Sequence, residues 1–521
     1  MNSNTDVVRP AVIESRPGYA TRWTAMLFIG ISLMVITIDN TILNVALPSI
    51  SRSLSASASE LEWIVDSYVL VFASLLLTMG ALGDKIGRKR SLQMGLIVFG
   101  LASLGSAFST TTTSLILTRA FMGIGGALIM PATLSIINAT FPPEERARAI
   151  AIWATIFGLG AGIGPLTGGV LLRFFSWQSI FLVNIPVVIV ALIGGRSFIA
   201  ESKDDHAPAF DLPGVLLSIT GLFALVFGII SAGESGWTAP QVLSTFAAAL
   251  VLLTIFVIWE RRTPNAMLPL RFFANPAFTL ANTALILMTF SLFGLLFMLT
   301  QYFQSVLGYE PLLAGIVQLP VVVIFMIVTT QSAKIVARLG TKRTVAGGAL
   351  LVGIALLYYH FTLDANTTYP IILIGQIIFA IGFGMTTSPA TSSVMQSVPV
   401  RKSGIGSAMN DMTRQVGGAL GVAVLGSILN GVYRENLMPV VQTLPQLTEP
   451  MRETILRSIQ GAHLVASQLA DGAQRIIDTS QLGFVAGMQQ ALLLAALVML
   501  VSAVLNFLWL PDVVTRTTDV D

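Results

Sequence analysis

Apolar runs of roughly 20 residues, separated by short polar stretches, repeat along nearly the whole chain. Rising about 1.5 Å per residue, a run of that length crosses a hydrocarbon core about 30 Å thick as an α-helix. Fourteen such helices are predicted, over residues 23–47, 61–82, 91–108, 114–139, 147–172, 178–199, 213–232, 241–260, 278–302, 312–337, 343–362, 370–393, 404–431 and 485–510. Residues 54–59 resemble a signal-peptide cleavage site, but the run before them is too long for a signal core and contains Asp39. Helix 1 is therefore expected in the mature protein. An even count puts both termini on one side of the membrane.

The basic residues choose the side. Lys and Arg gather near the termini and in the loops that follow even-numbered helices, as in Lys85, Arg88, Lys89 and Arg90, or Lys334, Arg338, Lys342 and Arg343. The opposite loops hold few, and Arg434, Arg452, Arg457 and Arg475 share one long loop that carries little weight in such a comparison. Both termini are expected to be cytoplasmic, in a multi-pass inner-membrane protein.

The loop after helix 2, Gly80-Ala81-Leu82-Gly83-Asp84-Lys85-Ile86-Gly87-Arg88-Lys89-Arg90, has a degenerate echo at 333–343 after helix 10, with Gly340 and Lys342-Arg343. The echo implies two six-helix halves, leaving helices 7 and 8 as an inserted pair. The expected layout is an N-terminal cytoplasmic segment (1–22), a six-helix bundle (23–199), the inserted pair with cytoplasmic linkers (200–277), a second bundle (278–510) and a cytoplasmic tail (511–521). Within the second bundle, the polar stretch 432–484 is expected outside the membrane on the far side, as a solvated helical cap in preference to a gating element.

Composition narrows the chemistry. With 54% hydrophobic and 11% charged residues among 521, the chain lacks the polar surface of a soluble domain, and its net charge of +3 is no nucleic-acid signal. It has no Cys, hence no disulfide or thiolate site, and His206, His360 and His463 are scattered, so neither a metal cluster nor a catalytic constellation is visible. A membrane enzyme is disfavoured on that ground. No ring signature of a passive channel is seen.

Ionisable groups inside spans are costly and are functional hypotheses by default. Asp39 in helix 1 lies about 12 Å below the outer helix end, and Asp66 in helix 2 and Arg119 in helix 4 about 8 Å below theirs, so the three share a depth. A carboxylate that exchanges an Arg partner for a proton is a coupling device; a static pair joining helices 1 and 4 is the plainer reading. Asp411 and Arg414, at i and i+3 on helix 13, form either a self-neutralising pair or a proton site. Trp63, Tyr68, Trp153 and Phe157, with Phe297 on helix 9, provide rings that suit a lipophilic cation, although lipid-facing aromatics are equally ordinary. In helix 5, Gly158 with Gly162 and Gly164 with Gly168 make small-xxx-small ridges, and Pro165 favours a bend. Such a seam rocks or seals. It is no nucleotide loop, since Ile163 occupies the position of the last Gly of GxGxxG. Gly80 and Gly87 permit close approach and a tight turn, and Asp84 is placed to meet Arg88, Arg146 or a helix N-terminus.

Four stretches carry a family resemblance over nearly the whole chain: Ile38-Asp39-Asn40-Thr41-Ile42-Leu43-Asn44-Val45-Ala46-Leu47-Pro48, the Gly80 to Arg90 loop, Arg119 with Gly123 and Gly125-Gly126, and the Gly158 to Gly169 segment with Gly164-Pro165. The phrases Phe210-Asp211-Leu212-Pro213-Gly214, Leu307-Gly308-Tyr309 and Arg414-Gln415-Val416-Gly417-Gly418 add to it. The sequence resembles the fourteen-helix drug/proton antiporters of the major facilitator superfamily, with Met122 where the family often has Gln and Gln178 where Arg is common. The resemblance implies an all-α polytopic fold that exports lipophilic, cationic drugs, dyes or antiseptics in exchange for protons. Export of an endogenous lipid or natural product stays open as the alternative, and a proton-coupled symporter is a weaker one, disfavoured by the helix 5 pattern. Proton coupling would fall to Asp39, Arg119 and Asp411. Substrate contact would fall to Asp66, Trp63, Tyr68, Trp153, Phe157 and Phe297, and conformational gating to Gly80, Asp84, Gly87 and Arg88 with Gly158, Gly162, Gly164, Pro165 and Gly168. The loop at Asp84 would latch the two halves in the outward-open state. The proton gradient would supply the energy with no bound cofactor. Partners would be the small-molecule substrate, protons and membrane lipids, with a periplasmic adaptor left open and a monomer otherwise.

Overall fold

The computed structural model describes residues 18–56, 58–204, 211–263, 266–445, 447–469 and 472–512. The expected terminal segments are thus described only from residue 18 and up to residue 512; Arg516, His206 and Phe210 lie outside the described residues.

Among the described residues there are fourteen long helices: α1 (Arg22–Leu54), α2 (Ala58–Ile86), α3 (Arg88–Ala107), α4 (Thr112–Thr140), α5 (Pro143–Phe174), α6 (Asn184–Phe198), α7 (Leu212–Ser235), α8 (Pro240–Arg262), α9 (Pro276–Gln301), α10 (Leu319–Leu339), α11 (Thr341–Thr362), α12 (Tyr369–Ser397), α13 (Ser403–Thr443) and α14 (Ala473–Trp509). Among the described residues, thirteen segments are long and apolar enough to span a membrane. The fourteenth helix, α3, is 20 residues long and opens on Arg88, Lys89 and Arg90, which dilute its apolar character. One-turn helices precede α6 (Ser179–Leu182) and α10 (Pro311–Ile316).

Local chemistry sets several starts. Thr111 and Ser114 exchange side-chain and backbone hydrogen bonds at the head of α4, a capping box. Asp211 accepts the Gly214 N–H at 3.1 Å to cap α7, and Asn275 accepts the Ala277 N–H at 3.0 Å to cap α9. Pro213, Pro240 and Pro276 sit in first turns, where a missing N–H costs nothing.

Helices α1–α6 enclose one apolar core and α9–α14 another. The inserted α7 packs on α2 and on α13, while α8 packs mainly on α7. A third apolar cluster ties the halves together near the face that carries both described chain ends: Leu77 of α2, Leu222 of α7, Phe256 of α8, Met267 and Phe272 of the following linker, and Ala408 and Met409 of α13. We call this the terminal face and its opposite the distal face.

The stretch 432–484 differs from its expected boundaries. Helix α13 runs on to Thr443 and α14 already begins at Ala473, so the two ends of the expected loop extend these helices, with Glu449–Arg457 and Ile459–Ala466 as short helices between. The reason is apolar burial: Tyr433, Leu437, Val441, Ile455, Ile459 and Ile476 continue the core of the second bundle into this cap. Tyr433 Oη donates to the Ile455 carbonyl at 3.0 Å, and Gln460 Nε2 donates to Gln301 Oε1 at 3.2 Å.

Candidate functional site

The first bundle buries one ion pair at its centre. Arg119 Nη1 of α4 donates to Asp39 Oδ2 of α1 at 2.5 Å, with each residue 1% exposed. Arg119 Nε donates to the Ile64 carbonyl of α2 at 3.2 Å, and its guanidinium lies 4.5 Å from the centre of the Tyr68 ring. The other carboxylate oxygen of Asp39 accepts from Asn184 Nδ2 of α6 at 3.2 Å, and the same amide donates to Ser103 Oγ of α3 at 3.1 Å. Five helices thus meet on two opposite charges. Met122 turns its sulfur to Arg119 at 3.7 Å and to Ser106 Oγ at 3.5 Å, a soft acceptor where a Gln would offer an amide. Removing either member of so deeply buried a pair leaves the other uncompensated, at a cost of about 3–5 kcal/mol.

Asn184 is the member sequence reasoning missed. The available signal was a lone amide inside the apolar run of helix 6, since polar side chains within spans bond across helices.

The expected grouping of Asp66 with Asp39 and Arg119 is not what forms. At about 100° per residue, Ile64 and Tyr68 face Arg119, and Asp66 points about 160° away from both. Asp66 is half-buried. It lies on the side of α2 where Leu70 and Ala73 pack against Val226 of α7. Equal depth placed these residues at one level but did not say which face of α2 each occupies. The expected aromatic set divides in the same way. Tyr68 is fully buried under Arg119, Trp63 is exposed with its ring 6.1 Å from Phe227 of α7, and Phe297 is exposed beside Gly426.

Trp153 and Phe157 do meet a cation, but an internal one. The guanidinium of Arg414 on α13 lies 5.4 Å from the centre of each ring, and so joins the second bundle to α5 of the first. Arg414 Nη2 donates to Thr391 Oγ1 of α12 at 2.8 Å. Asp411 takes its hydrogen bond from Asn410 Nδ2 at 3.1 Å, while its Oδ2 has no partner. Of the two readings left open for Asp411 and Arg414, the directly bonded pair is not formed: Arg414 bonds Thr391 and stacks on the two rings instead.

At the terminal face, Asp84 binds the head of α13. Its Oδ1 accepts the Gly404 N–H at 2.9 Å and its Oδ2 the Ile405 N–H at 3.2 Å, an acid at a helix N-terminus where the backbone dipole favours it. Arg88 donates from Nε and Nη2 to Asp84 at 3.0 and 2.8 Å, and from Nη2 to the carbonyls of Val400 and Arg401 at 2.7 and 2.9 Å. Arg146, the other expected basic partner, donates from Nε to the Phe141 carbonyl at 2.9 Å. Gly87, at φ 112°, makes the turn between α2 and α3. Gly80 lies against Gly404, and a Cβ on Gly80 would come within 2.6 Å of Ala408 Cβ.

The glycines of α5 serve two neighbours. Gly158 and Gly162 face Phe325 and Val322 of α10, across the bundle boundary, whereas Gly164 and Gly168 face Thr41 and Ile42 of α1 within the bundle. Pro165 lies inside α5 between these contacts.

Comparisons with known proteins bear on the fold and family. The family model described as Major Facilitator Superfamily matches residues 29–422. The chain belongs to the major facilitator superfamily. This family membership makes it a multi-pass membrane transporter rather than an enzyme. A "Multidrug efflux pump LfrA" of Mycolicibacterium smegmatis is 34% identical over 487 residues, 92% of this chain and 95% of that one. A "Methyl viologen resistance protein SmvA" of Salmonella typhimurium is 32% identical over 494 residues, 93% and 97% of the two chains. Among solved structures, the proton:xylose symporter XylE superposes with a TM-score of 0.63 over 94% of this chain and 96% of its own, at 13% identity, a likeness of fold.

Proposed function

We propose that this major facilitator protein is a proton-coupled antiporter that exports lipophilic, cationic drugs, dyes or antiseptics by alternating access. The observation that carries this reading is the buried Asp39–Arg119 pair, satisfied on all sides by Asn184, the Ile64 carbonyl and the Tyr68 ring. A carboxylate that exchanges its Arg partner for a proton links helix motion to proton transfer. The printed names of the two relatives, a multidrug efflux pump and a methyl viologen resistance protein, support the substrate class, because methyl viologen is an aromatic dication. The basic loops support cytoplasmic termini in the cell's inner membrane. In that topology the joined terminal face corresponds to an outward-facing state, with Asp84, Arg88, Gly80 and Gly87 as its latch. The proton gradient is the energy source.

Cells overproducing the protein and loaded with a fluorescent lipophilic monocation provide the test. A protonophore should raise dye accumulation, and dye added to energised everted vesicles should draw protons out of the acidified lumen, raising its pH. Accumulation that falls on adding protonophore would overturn antiport in favour of uptake.

A further inference from the structure

One face of α13 carries a run of buried polar atoms without partners. Ser403 Oγ, Ser407 Oγ, Asn410 Oδ1, Asp411 Oδ2 and Arg414 Nε all lie buried and unbonded. Their positions are i, i+4, i+7, i+8 and i+11, which fall within about 100° of one another around the helix. They form a single stripe about 17 Å long. It starts beside the Asp84 latch, at Gly404 and Ile405, and ends at the Trp153 and Phe157 rings beside Arg414. The two helices packed nearby add orphans of their own: both amide atoms of Asn138 on α4 and Thr387 Oγ1 on α12.

Buried polar groups are almost always hydrogen-bonded, and those not satisfied by protein are satisfied by internal water. Five unpaired groups in register on one helix are too many and too regular to be isolated packing faults. The opposite face of the same turns is apolar, with Ile405, Ala408 and Met409 in the cluster shared with α7 and α8. We infer that the Ser403–Arg414 stripe holds a file of water that connects the Asp411 carboxyl to the terminal face, past the closed latch.

The inference rests on the proton-coupled reading for its purpose: a proton leaving Asp411 Oδ2 passes to the adjoining water and along the file, leaving a carboxylate whose remaining hydrogen bond comes from Asn410. The other charged groups around this stretch start with Arg401 and Lys402, which directly precede Ser403 in the chain, while α14 carries Arg475 and Asp478 near its distal start. Asp84 and Arg88 are bonded to each other and to the head of α13. Helix α4 contributes Arg119, which is paired with Asp39; α2 contributes Asp66 on its distal half; α5 contributes Glu144, Glu145, Arg146 and Arg148 near its terminal end; and α9 and α12 carry no charged side chain. The latch therefore closes the large substrate opening while a narrow wet path to Asp411 persists.

The absence of cysteine makes the test direct. Ser403→Cys, Ser407→Cys and the control Met409→Cys are each purified, reconstituted and exposed to silver ions from the terminal face. The readout is protection of the thiol from later alkylation. Silver, which reaches thiols through water-filled passages, should protect the two stripe positions at least an order of magnitude faster than Met409→Cys. Equal rates at all three overturn the water file, whatever the transport mechanism. A second arm fills the file with Ser407→Val. Proton-driven efflux should then fall by about an order of magnitude, while exchange of labelled for unlabelled substrate, which moves no net proton, stays near wild type. Loss of both activities, or of neither, removes the stripe from the proton route. A wild-type protein that shows no proton coupling defeats the proposed antiport, and the silver experiment still decides the file.

Discussion

Asp84, near the end of α2, accepts the backbone N–H of Gly404, at the start of α13, at 2.9 Å. This bond joins the two bundles through positions remote in sequence, and the glycine is needed for it. A Cβ at Gly404 would collide with the Gly80 carbonyl and lie 2.7 Å from the Asp84 carboxyl carbon. The joined terminal ends thus depend on two facing glycines and one buried acid paired with Arg88.

Gly80→Val should therefore separate the terminal ends without unfolding either bundle. Expression and melting should stay close to wild type, and transport should fall by an order of magnitude or more. The check is labelling of a single cysteine at Ala408 from the terminal face, expected to speed up in the Gly80→Val background. Unchanged labelling with full transport would leave the latch without a mechanical role.

Asp39→Asn removes one charge of the buried pair while keeping its shape. Left alone, Arg119 is an unpaired buried cation, so the single variant should be destabilised by about 3–5 kcal/mol as well as uncoupled. The double variant Asp39→Asn, Arg119→Gln should recover most of that stability but none of the proton-coupled export. Thermal melting in detergent and efflux from proteoliposomes separate the two effects. Efflux at the wild-type rate in the double variant would show the pair to be purely structural.

The helix count, the paired halves and the inserted pair were legible because lipid imposes one strong rule, that spans be long, apolar and helical. The charges were legible for the same reason: Asp39 and Arg119 stand out in apolar runs and do pair. What was not legible is azimuth. Asp66 shares a level with both but faces the other side of α2, and Arg414 turns to Trp153 and Phe157 of the other bundle instead of to Asp411, three residues away. Spacing along one helix fixes which residues can meet, whereas partners on neighbouring helices decide which do. The cap was read as helical, but its boundaries and its burial were missed because its polar composition masks the apolar positions, such as Tyr433 and Ile455, that it buries.

The two glycine ridges of α5 predict opposite phenotypes. Gly164→Leu presses on Thr41 and the Ile38 carbonyl inside one bundle, so it should lower stability and yield. Gly158→Leu presses on Phe325 of α10 across the boundary that must move, so it should fold nearly normally and change coupling or proton leak. Yield and melting, set against proton leak in vesicles, distinguish them. Identical behaviour would mean that α5 serves only as packing.

Asp66 supplies the most specific expectation about selectivity. It lies on a face of α2 remote from the Asp39–Arg119 pair, half-buried on the side of α2 that packs against α7, and is thus able to act on substrate without disturbing that pair. A second positive charge in a low-dielectric passage needs a second carboxylate nearby, and each unbalanced charge moved against 100 mV costs about 2.3 kcal/mol. Asp66→Asn should therefore weaken export of a dication such as methyl viologen by an order of magnitude or more. Export of a matched monocation should fall much less, and that of a neutral compound should hardly change. Efflux of the three compounds from vesicles carrying wild type or variant is the measurement. An equal loss for all three would instead assign Asp66 to folding or to the proton step, because only an electrostatic contact with substrate scales with substrate charge.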